Sequence, residues 1–499
     1  MFLPAALREF PFAAIVVITS FLVSHAIAAD AIDIGSHREL FVDRYLIESM
    51  KGTAMRLQHP HDEGVVLKFD QPWEGPFCAY VTVIRNDAKY QMYYRGASGE
   101  NQQVTCYAES SDGIAWEKPK LDLFPDSHGG KTNIVLANAG KVTHNFCPFL
   151  DTRPDVQPDQ RYKALGGYDD IGLLAYVSPD GIHWRKLRDE PVFTRKQVFA
   201  TQLAFDSQNV PFWSEAEQKY LLYFRVYKDK IRRIARAESE DFVNWTNVQL
   251  MEYRHDGQPA PIEQLYTNQT HPYFRAPQIY ISTAARFMLG RRVITTQQAR
   301  EIHVNPQYFN DTSDAILMTS RGGDIYDRTF MEALVAPGIG AQNWISRTNY
   351  PALNIVQTAP AEMSLYLNQN YAQPTANLHR YTLRLDGFAA LHADYDGGEM
   401  ITKPLIFAGA TLLLNFATSA AGSVRLEIEH EAGSPFPGFS LADCHEVVGN
   451  EIERGVAWNG GNLAALSGKP VRLRFVVKDA DLFAMRFAKE AFNAQGAAQ

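Results

Sequence analysis

One turn recurs along this chain and limits what it can fold into. Ser110-Ser111-Asp112-Gly113-Ile114-Ala115-Trp116 is closely matched by Ser178-Pro179-Asp180-Gly181-Ile182-His183-Trp184, 68 residues on. A looser copy, Ser239-Glu240-Asp241-Phe242-Val243-Asn244-Trp245, follows 61 residues later. Arg321-Gly322-Gly323-Asp324-Ile325-Tyr326 is a degenerate fourth copy, and Leu385-Asp386-Gly387-Phe388 a fifth. Asp-Gly makes a tight turn because glycine tolerates positive φ and the aspartate bonds its own backbone. The Trp that follows can pack between neighbouring sheets.

Each turn follows an alternating strand, such as Val104 to Glu109 or Leu173 to Val177. Further strands precede it in a constant order: Ala79 to Arg85 and Tyr90 to Arg95, then Phe146 to Asp151 and Tyr162 to Gly167, then Val210 to Trp213 and Tyr220 to Tyr227. Gln278 to Thr283, Ala315 to Thr319, Met363 to Leu367 and His379 to Leu385 continue the series. A repeated unit of three or four strands cannot bury both faces alone and closes radially. The expectation is an all-β chain: a five-bladed β-propeller over 36–392, followed by a C-terminal β-sandwich over 393–490. Glu39 to Glu48 is expected to add an outer strand to the last blade and so close the ring. From about residue 390 the strands Leu405 to Phe407, Thr411 to Phe416, Ser423 to Glu429 and Val471 to Val477 lack the Asp-Gly-Trp signature, which suits a sandwich.

The chain has 499 residues, room for two domains. Its formal charge of −8 argues against nucleic acid or an anionic membrane as partner. Aromatic residues make up 12%, which suits both strands and stacking on sugar rings. Residues 1–28 read as a signal peptide. Arg8 precedes an apolar stretch from Phe12 to Val23, and Ala26-Ile27-Ala28 supplies the small residues of a cleavage site. The protein is therefore expected to be secreted or periplasmic, with no membrane association beyond the cleaved signal. The four cysteines, Cys78, Cys106, Cys147 and Cys444, are too few for a disulfide framework. Cys78 and Cys106 fall in one blade and either pair or remain buried thiols. No spacing suggests zinc or a calcium loop, so no cofactor is expected, although a structural Ca²⁺ in the channel is compatible with the fold.

The turns Ser110–Trp116 and Ser178–Trp184, with Asp386-Gly387-Phe388 leading into a sandwich, resemble the superfamily of glycoside hydrolase families 32 and 43, and proteins with a family 32 N-terminal-like domain. The resemblance spans nearly all of the mature chain and implies a five-bladed propeller acting on a carbohydrate. The motifs of family 32 catalysis are absent: there is no Asn-Asp-Pro-Asn, no Arg-Asp-Pro (Thr152-Arg153-Pro154 is only an echo) and no Glu-Cys. Cleavage of sucrose or fructan is therefore not implied.

Sugar hydrolysis normally needs two carboxyl groups flanking the bond, here expected where innermost strands begin. Glu332, in the apolar run Phe330 to Leu334, and Glu362, opening a strand, form the expected catalytic pair, with Asp206 orienting or tuning. Binding of substrate is expected from Glu74, His144, Gln208, Asn209, Asn268, His271 and Arg275. Glu74 can equally be a turn carboxylate, and Asp206 with its neighbours an Asx turn. Arg275 has the fork geometry for a carboxylate or sulfate, or makes a structural salt bridge. Arg95 and Arg225 end second strands and either brace blades or touch ligand. Two other functions stay open: a glycan-binding propeller without catalysis, and a sugar lyase with a His or Tyr base, for which His271 is the candidate.

Overall fold

The structure is a computed structural model and describes residues 31–489, except 88 and 98–102. The expected signal peptide, 1–28, and the end of the tail lie outside the described residues. The chain is nearly all β, in a propeller-like arrangement of sheets.

Five sheets of four to seven strands follow one another along the sequence. The first comprises Ala79–Asn86, Lys89–Ala97, Gln103–Ser110 and Ile134–Leu136. The second runs from Cys147–Leu150 through Tyr162–Tyr168 and Gly172–Ser178 to Arg185–Lys186. The third is built on Val210–Ser214, Lys219–Lys228, Ile231–Ser239 and Thr246–Leu250. The fourth is built on Thr270–Tyr273, Ala276–Met288 and Thr312–Ser320, and the fifth on Val356–Ala359, Glu362–Gln369 and Asn377–Arg384. Four of the five are wholly antiparallel. The fourth is irregular, because Ile325–Asp327 pairs in parallel with Glu252–His255. This is where the sequence repeat is degenerate.

The first strands of the sheets lie side by side. Ala79–Asn86 packs on Cys147–Leu150, which packs on Val210–Ser214, which packs on Thr270–Tyr273. Tyr350–Pro351 then meets Ala276–Met288, and Val356–Ala359 returns to Ala79–Asn86. A bridge between Thr82 and Leu353 joins the last sheet to the first.

The repeated turn latches each sheet to the one before it. Asp112 Oδ1 accepts from the backbone N–H of Ile114 (2.7 Å) and Ala115 (2.9 Å), and Asp180 and Asp241 repeat this pattern. Tyr366 of the fifth sheet donates its hydroxyl to the Gly113 carbonyl at 2.5 Å, and Gln91 of the first sheet donates to the Asp180 carbonyl at 3.2 Å. Trp116 then meets Tyr366 edge-on, and Trp184 meets Tyr93.

A ten-stranded sheet forms the rest of the molecule. Its spine is two 19-residue strands, Thr411–Glu429 and Pro470–Ala488. They alternate over part of their length, and Leu412, Leu414, Phe416, Leu473, Phe475 and Phe487 are fully buried. Register shifts near Asn415 and between Thr418 and Ser423 bend this pair around its own core.

The N-terminal strands correct one expectation. Glu39–Leu40 pairs with Pro470–Ala488, and Ile47–Lys51 with Gly398–Thr402, so this segment joins the C-terminal sheet. The fifth sheet is closed instead by His61–Lys68, paired with Asn377–Arg384. The alternation of 39–48 specified a strand, but a single strand does not encode its partner. Leu40 and Val42 bury themselves with Phe388 and Ala484, between the two parts of the molecule. All four cysteines are buried free thiols.

Candidate active site

The innermost strands begin around a cavity of about 210 Å³ lined by Tyr80, Arg95, His144, Tyr168, Asp206, Tyr266, Arg347, Tyr350 and Tyr371. Second strands run antiparallel to the innermost ones, so their last residues return to this mouth. That places Arg95, ending Tyr93-Tyr94-Arg95, and Arg225, ending Tyr223-Phe224-Arg225, around one pocket. Tyr80 (φ 54°), Phe205 (φ 66°) and Arg347 (φ 66°) all hold left-handed backbone. That conformation costs a bulky residue about 1–3 kcal/mol and clusters at functional sites.

The charges do not balance locally. Arg225 Nη2 lies 2.5 Å from Asp206 Oδ2, and its guanidinium carbon 4.3 Å from the centre of the Tyr266 ring. Arg95 donates to the Phe77 carbonyl (2.8 Å) and approaches the Tyr371 hydroxyl (3.2 Å), and it lies 4.8 Å from the centre of the Tyr80 ring. Arg347 lies over the rings of Tyr308 (4.8 Å) and Tyr266 (5.1 Å). Among the described residues neither Arg95 nor Arg347 pairs with a carboxylate, so three permanent cations face Asp206 alone.

This field sets the state of the neighbouring groups. Burial alone would raise the Tyr266 phenol, but Arg347 and Arg225 outweigh it and hold the phenol below its ordinary pKa. Burial, then Arg95, Arg225 and Arg347, push His144 down to about 2, so the imidazole is neutral. Its Nδ1 lies 3.0 Å from the Gln103 amide oxygen and its Nε2 3.8 Å from Asp206 Oδ1. Tyr168 is pushed up to about 12 by burial and by Asp206, which accepts its hydrogen bond. One mouth therefore holds one phenol shifted down by its arginines and another shifted up by burial and Asp206.

Of the residues expected from sequence, Asp206 and His144 line this mouth. The rest do not. Glu332 is exposed in a loop, because the buried Phe330 and Leu334 turn the intervening side chain outward. Glu362 pairs with Arg380 at 2.9 Å and accepts from Thr358, away from the pocket. The expected carboxylate pair is thus not assembled. Glu74 is fully buried, accepting from Tyr94 (2.6 Å) and Lys118 (2.7 Å), and it fixes its own loop. Gln208 plugs the channel below the mouth, donating to Thr82 (2.7 Å) and accepting from Gln269 (2.8 Å). Asn209 donates to the Phe205 and Ser207 carbonyls, and Asn268 to that of Tyr223. His271 borders a separate apolar cavity of about 390 Å³ at the opposite end of the innermost strands. Burial lowers it to about 4, against the opposing bond of its Nδ1 to the Gln269 carbonyl. Arg275 pairs with Asp386 and Glu453, both at 3.0 Å, joining the fourth sheet to the ten-stranded sheet.

Sequence reasoning left out the tyrosines and gave Arg347 no binding role. The repeated Tyr-aromatic-Arg endings of equivalent strands were the available signal for Arg95 and Arg225. Among the described residues no three of His, Cys, Asp and Glu are grouped to hold a metal ion.

No family model matches the chain, and no curated protein is detectably similar in sequence. Solved structures of carbohydrate-active enzymes, glycosidases of families 32 and 43 among them, are similar in architecture. A Bombyx mori family 32 β-fructofuranosidase has a TM-score of 0.39 at 10% identity, covering 86% of this chain and 95% of its own. A Clostridium thermocellum family 43 α-L-arabinofuranosidase gives 0.37 at 10%, covering 63% and 91%. An N-acetylgalactosamine deacetylase from F. plautii gives 0.41 at 11%, covering 67% and 96%. Nothing about the reaction follows at such distances.

Proposed function

We propose that this is an exported carbohydrate-active enzyme that cleaves an acidic saccharide at the mouth described above, by elimination at a hexuronate residue. In this reading five blades form the ring and the C-terminal sheet folds as a sandwich beside it. The succession of contacts from Ala79–Asn86 round to Val356–Ala359 supports the ring.

The observation that carries the reading is the charge of the pocket. Arg95, Arg225 and Arg347 surround a cavity of about 210 Å³ with Asp206 as the one carboxylate of its described lining. Uncompensated buried charge is costly, and a ligand carboxylate relieves it. Guanidinium groups suit that ligand in shape as well as charge. The volume falls below the roughly 300–1,000 Å³ of pockets that enclose drug-sized ligands, and fits one sugar ring. Among the described lining residues, hydrolysis by paired carboxylates lacks its second member.

Elimination uses groups that are present. The arginines neutralise the uronate carboxylate, which acidifies the proton on the adjacent C5. Tyr266, as phenolate, removes that proton. The electron pair forms the C4–C5 double bond and expels the oxygen on C4, which takes a proton from the Tyr168 hydroxyl. Tyr266 returns its proton to solvent, and Tyr168 regains one.

The test is turnover of hexuronate-containing and neutral oligosaccharides, reading both reducing ends and the ultraviolet absorbance of the new conjugated double bond. Absorbance that rises with acidic substrates only is the expected result. Reducing ends without absorbance would mean hydrolysis, and binding without either product would mean a lectin-like protein; both contradict elimination. Export is tested by N-terminal sequencing of the mature protein, which is expected to begin at Ala29 or Asp30.

A further inference from the structure

A second cavity, of about 1,060 Å³, opens beside the mouth over the first and second sheets. Its lining includes Trp73, Gln103, Phe124 and Lys141, together with His144 and Tyr168. The last two also line the mouth pocket, so the two cavities adjoin across them. The larger one is at the upper end of ligand-site volumes, and the smaller fits one ring.

The floor of the mouth is closed. Gln208, Gln269, Thr82 and Asn145 are buried at 0–1% exposure and hydrogen-bonded beneath it. A polymer cannot thread through the channel, so any chain entering the mouth does so by its end. The rest of the chain must leave sideways, and the groove is a space adjoining the pocket.

We infer that this groove is an extended saccharide site, holding the residues that follow the terminal acidic sugar, with Trp73 and Phe124 as stacking platforms. The inference rests on the reading of the mouth as a saccharide site. Trp73 is partly exposed and pre-oriented: its indole N–H donates to Asn133 Oδ1 at 2.7 Å, and Asn133 is fixed by Tyr94 and by the Tyr107 carbonyl. The buried Glu74 next to it accepts from Tyr94, Lys118 and the Gln71 N–H, anchoring the loop that presents the ring. Lys141 lies 5.0 Å from the centre of the Tyr168 ring, at the junction of the cavities. Aromatic faces take the apolar side of a pyranose, and the Gln103 amide takes hydroxyls. The bond between the first sugar and the second then crosses over the rim formed by His144 and Tyr168, whose rings meet edge-on at 5.7 Å, beside the proposed proton donor.

Calorimetric titration with acidic and neutral saccharides of one to four residues tests this on the whole protein. Affinity is expected to rise with chain length. In Trp73→Ala and Phe124→Ala the ratio of tetra- to monosaccharide affinity should fall by about five- to tenfold, as for one lost stacking contact. Trp73→Phe, which keeps a ring there, should retain most of the ratio and control for folding. Affinity independent of length, or a ratio that survives both alanine substitutions, overturns the groove. A length-dependent gain without preference for acidic sugars keeps the groove and overturns the acidic mouth. Failure of every saccharide to bind overturns both.

Discussion

Arg225 reaches the Asp206 carboxylate at 2.5 Å while its guanidinium carbon lies 4.3 Å from the centre of the Tyr266 ring. Among the described residues, Asp206 therefore holds the one arginine of the mouth that has a protein counterion. Asp206→Asn leaves Arg225, 4% exposed, without an anion. Breaking a buried pair costs about 3–5 kcal/mol; with Asp206 at 23% exposure, about 2–3 kcal/mol is expected. Denaturant unfolding of both proteins measures it. An acidic saccharide should recover part of the loss in the variant, and a neutral one should not.

The Tyr266 phenol, lowered by Arg347 and Arg225 against its burial, sets the pH dependence of turnover. The phenolate is the active form, so the rate rises with pH through the Tyr266 pKa, below the ordinary phenol value of about 10. Arg347→Gln removes the first of the two lowering charges and should move that limb to higher pH. Tyr266→Phe should cut kcat by roughly a hundred- to ten-thousand-fold, the usual contribution of a general base. A rate profile unmoved by Arg347→Gln would count against Tyr266 as the base.

Gly181 and Gly257 separate two costs of replacing a turn glycine. Both have positive φ, 80° and 73°. A Cβ on Gly257 meets nothing within 4 Å, but one on Gly181 would lie 2.2 Å from the Tyr93 hydroxyl. Gly257→Ala should cost about 1–2 kcal/mol for left-handed backbone alone. Gly181→Ala must also displace Tyr93 of the preceding sheet, and overpacking typically adds about 1–3 kcal/mol. Equal losses on chemical denaturation would contradict the inter-sheet latch.

The repeat that revealed this latch also shows how far the sequence could be read. The serine-aspartate turns are local, every bond lying within a few residues, so three copies were visible in the chain. Strand order followed from the same periodicity. Pairing partners were not legible: 39–48 alternates correctly yet joins a sheet made from residues over 340 positions away. The site was half legible. Asp206 and His144 are polar residues immediately before apolar strands, a pattern that marks a strand entry. Glu332 and Glu362 were misplaced because an apolar neighbourhood in sequence is not burial. Tyr80, Tyr350 and Tyr371 are far apart in sequence, and only the arrangement of the sheets brings them together.

Asp386 and Glu453 share two arginines but differ in burial. Asp386 is fully buried and takes Arg38 (3.3 Å), Arg275 (3.0 Å) and the Tyr273 hydroxyl (2.7 Å). Asp386→Ala leaves both arginines to the half-exposed Glu453 alone and should cost about 3 kcal/mol, the lower end for a broken buried pair. Glu453, 37% exposed, should cost about 1 kcal/mol or less as Gln. Burial raises Glu453, but Arg38 and Arg486 outweigh it and depress the folded-state pKa. Its stabilisation is then present above the unfolded value of about 4.3 and is lost as pH falls through the folded value. Thermal unfolding between neutral and acid pH should show the Glu453→Gln curve converging on the wild type at the acid end.

The cationic mouth is tested most directly by the affinity for a hexuronate against its parent hexose, in the wild type and in Arg347→Gln. The wild type should favour the hexuronate by roughly tenfold or more, the scale of one charge-assisted hydrogen bond, and the preference should weaken with added salt. Arg347→Gln should lose most of that preference with little effect on the hexose. Equal affinity of the wild type for the two sugars, or a preference that survives Arg347→Gln intact, would contradict an acidic saccharide as the ligand of this mouth.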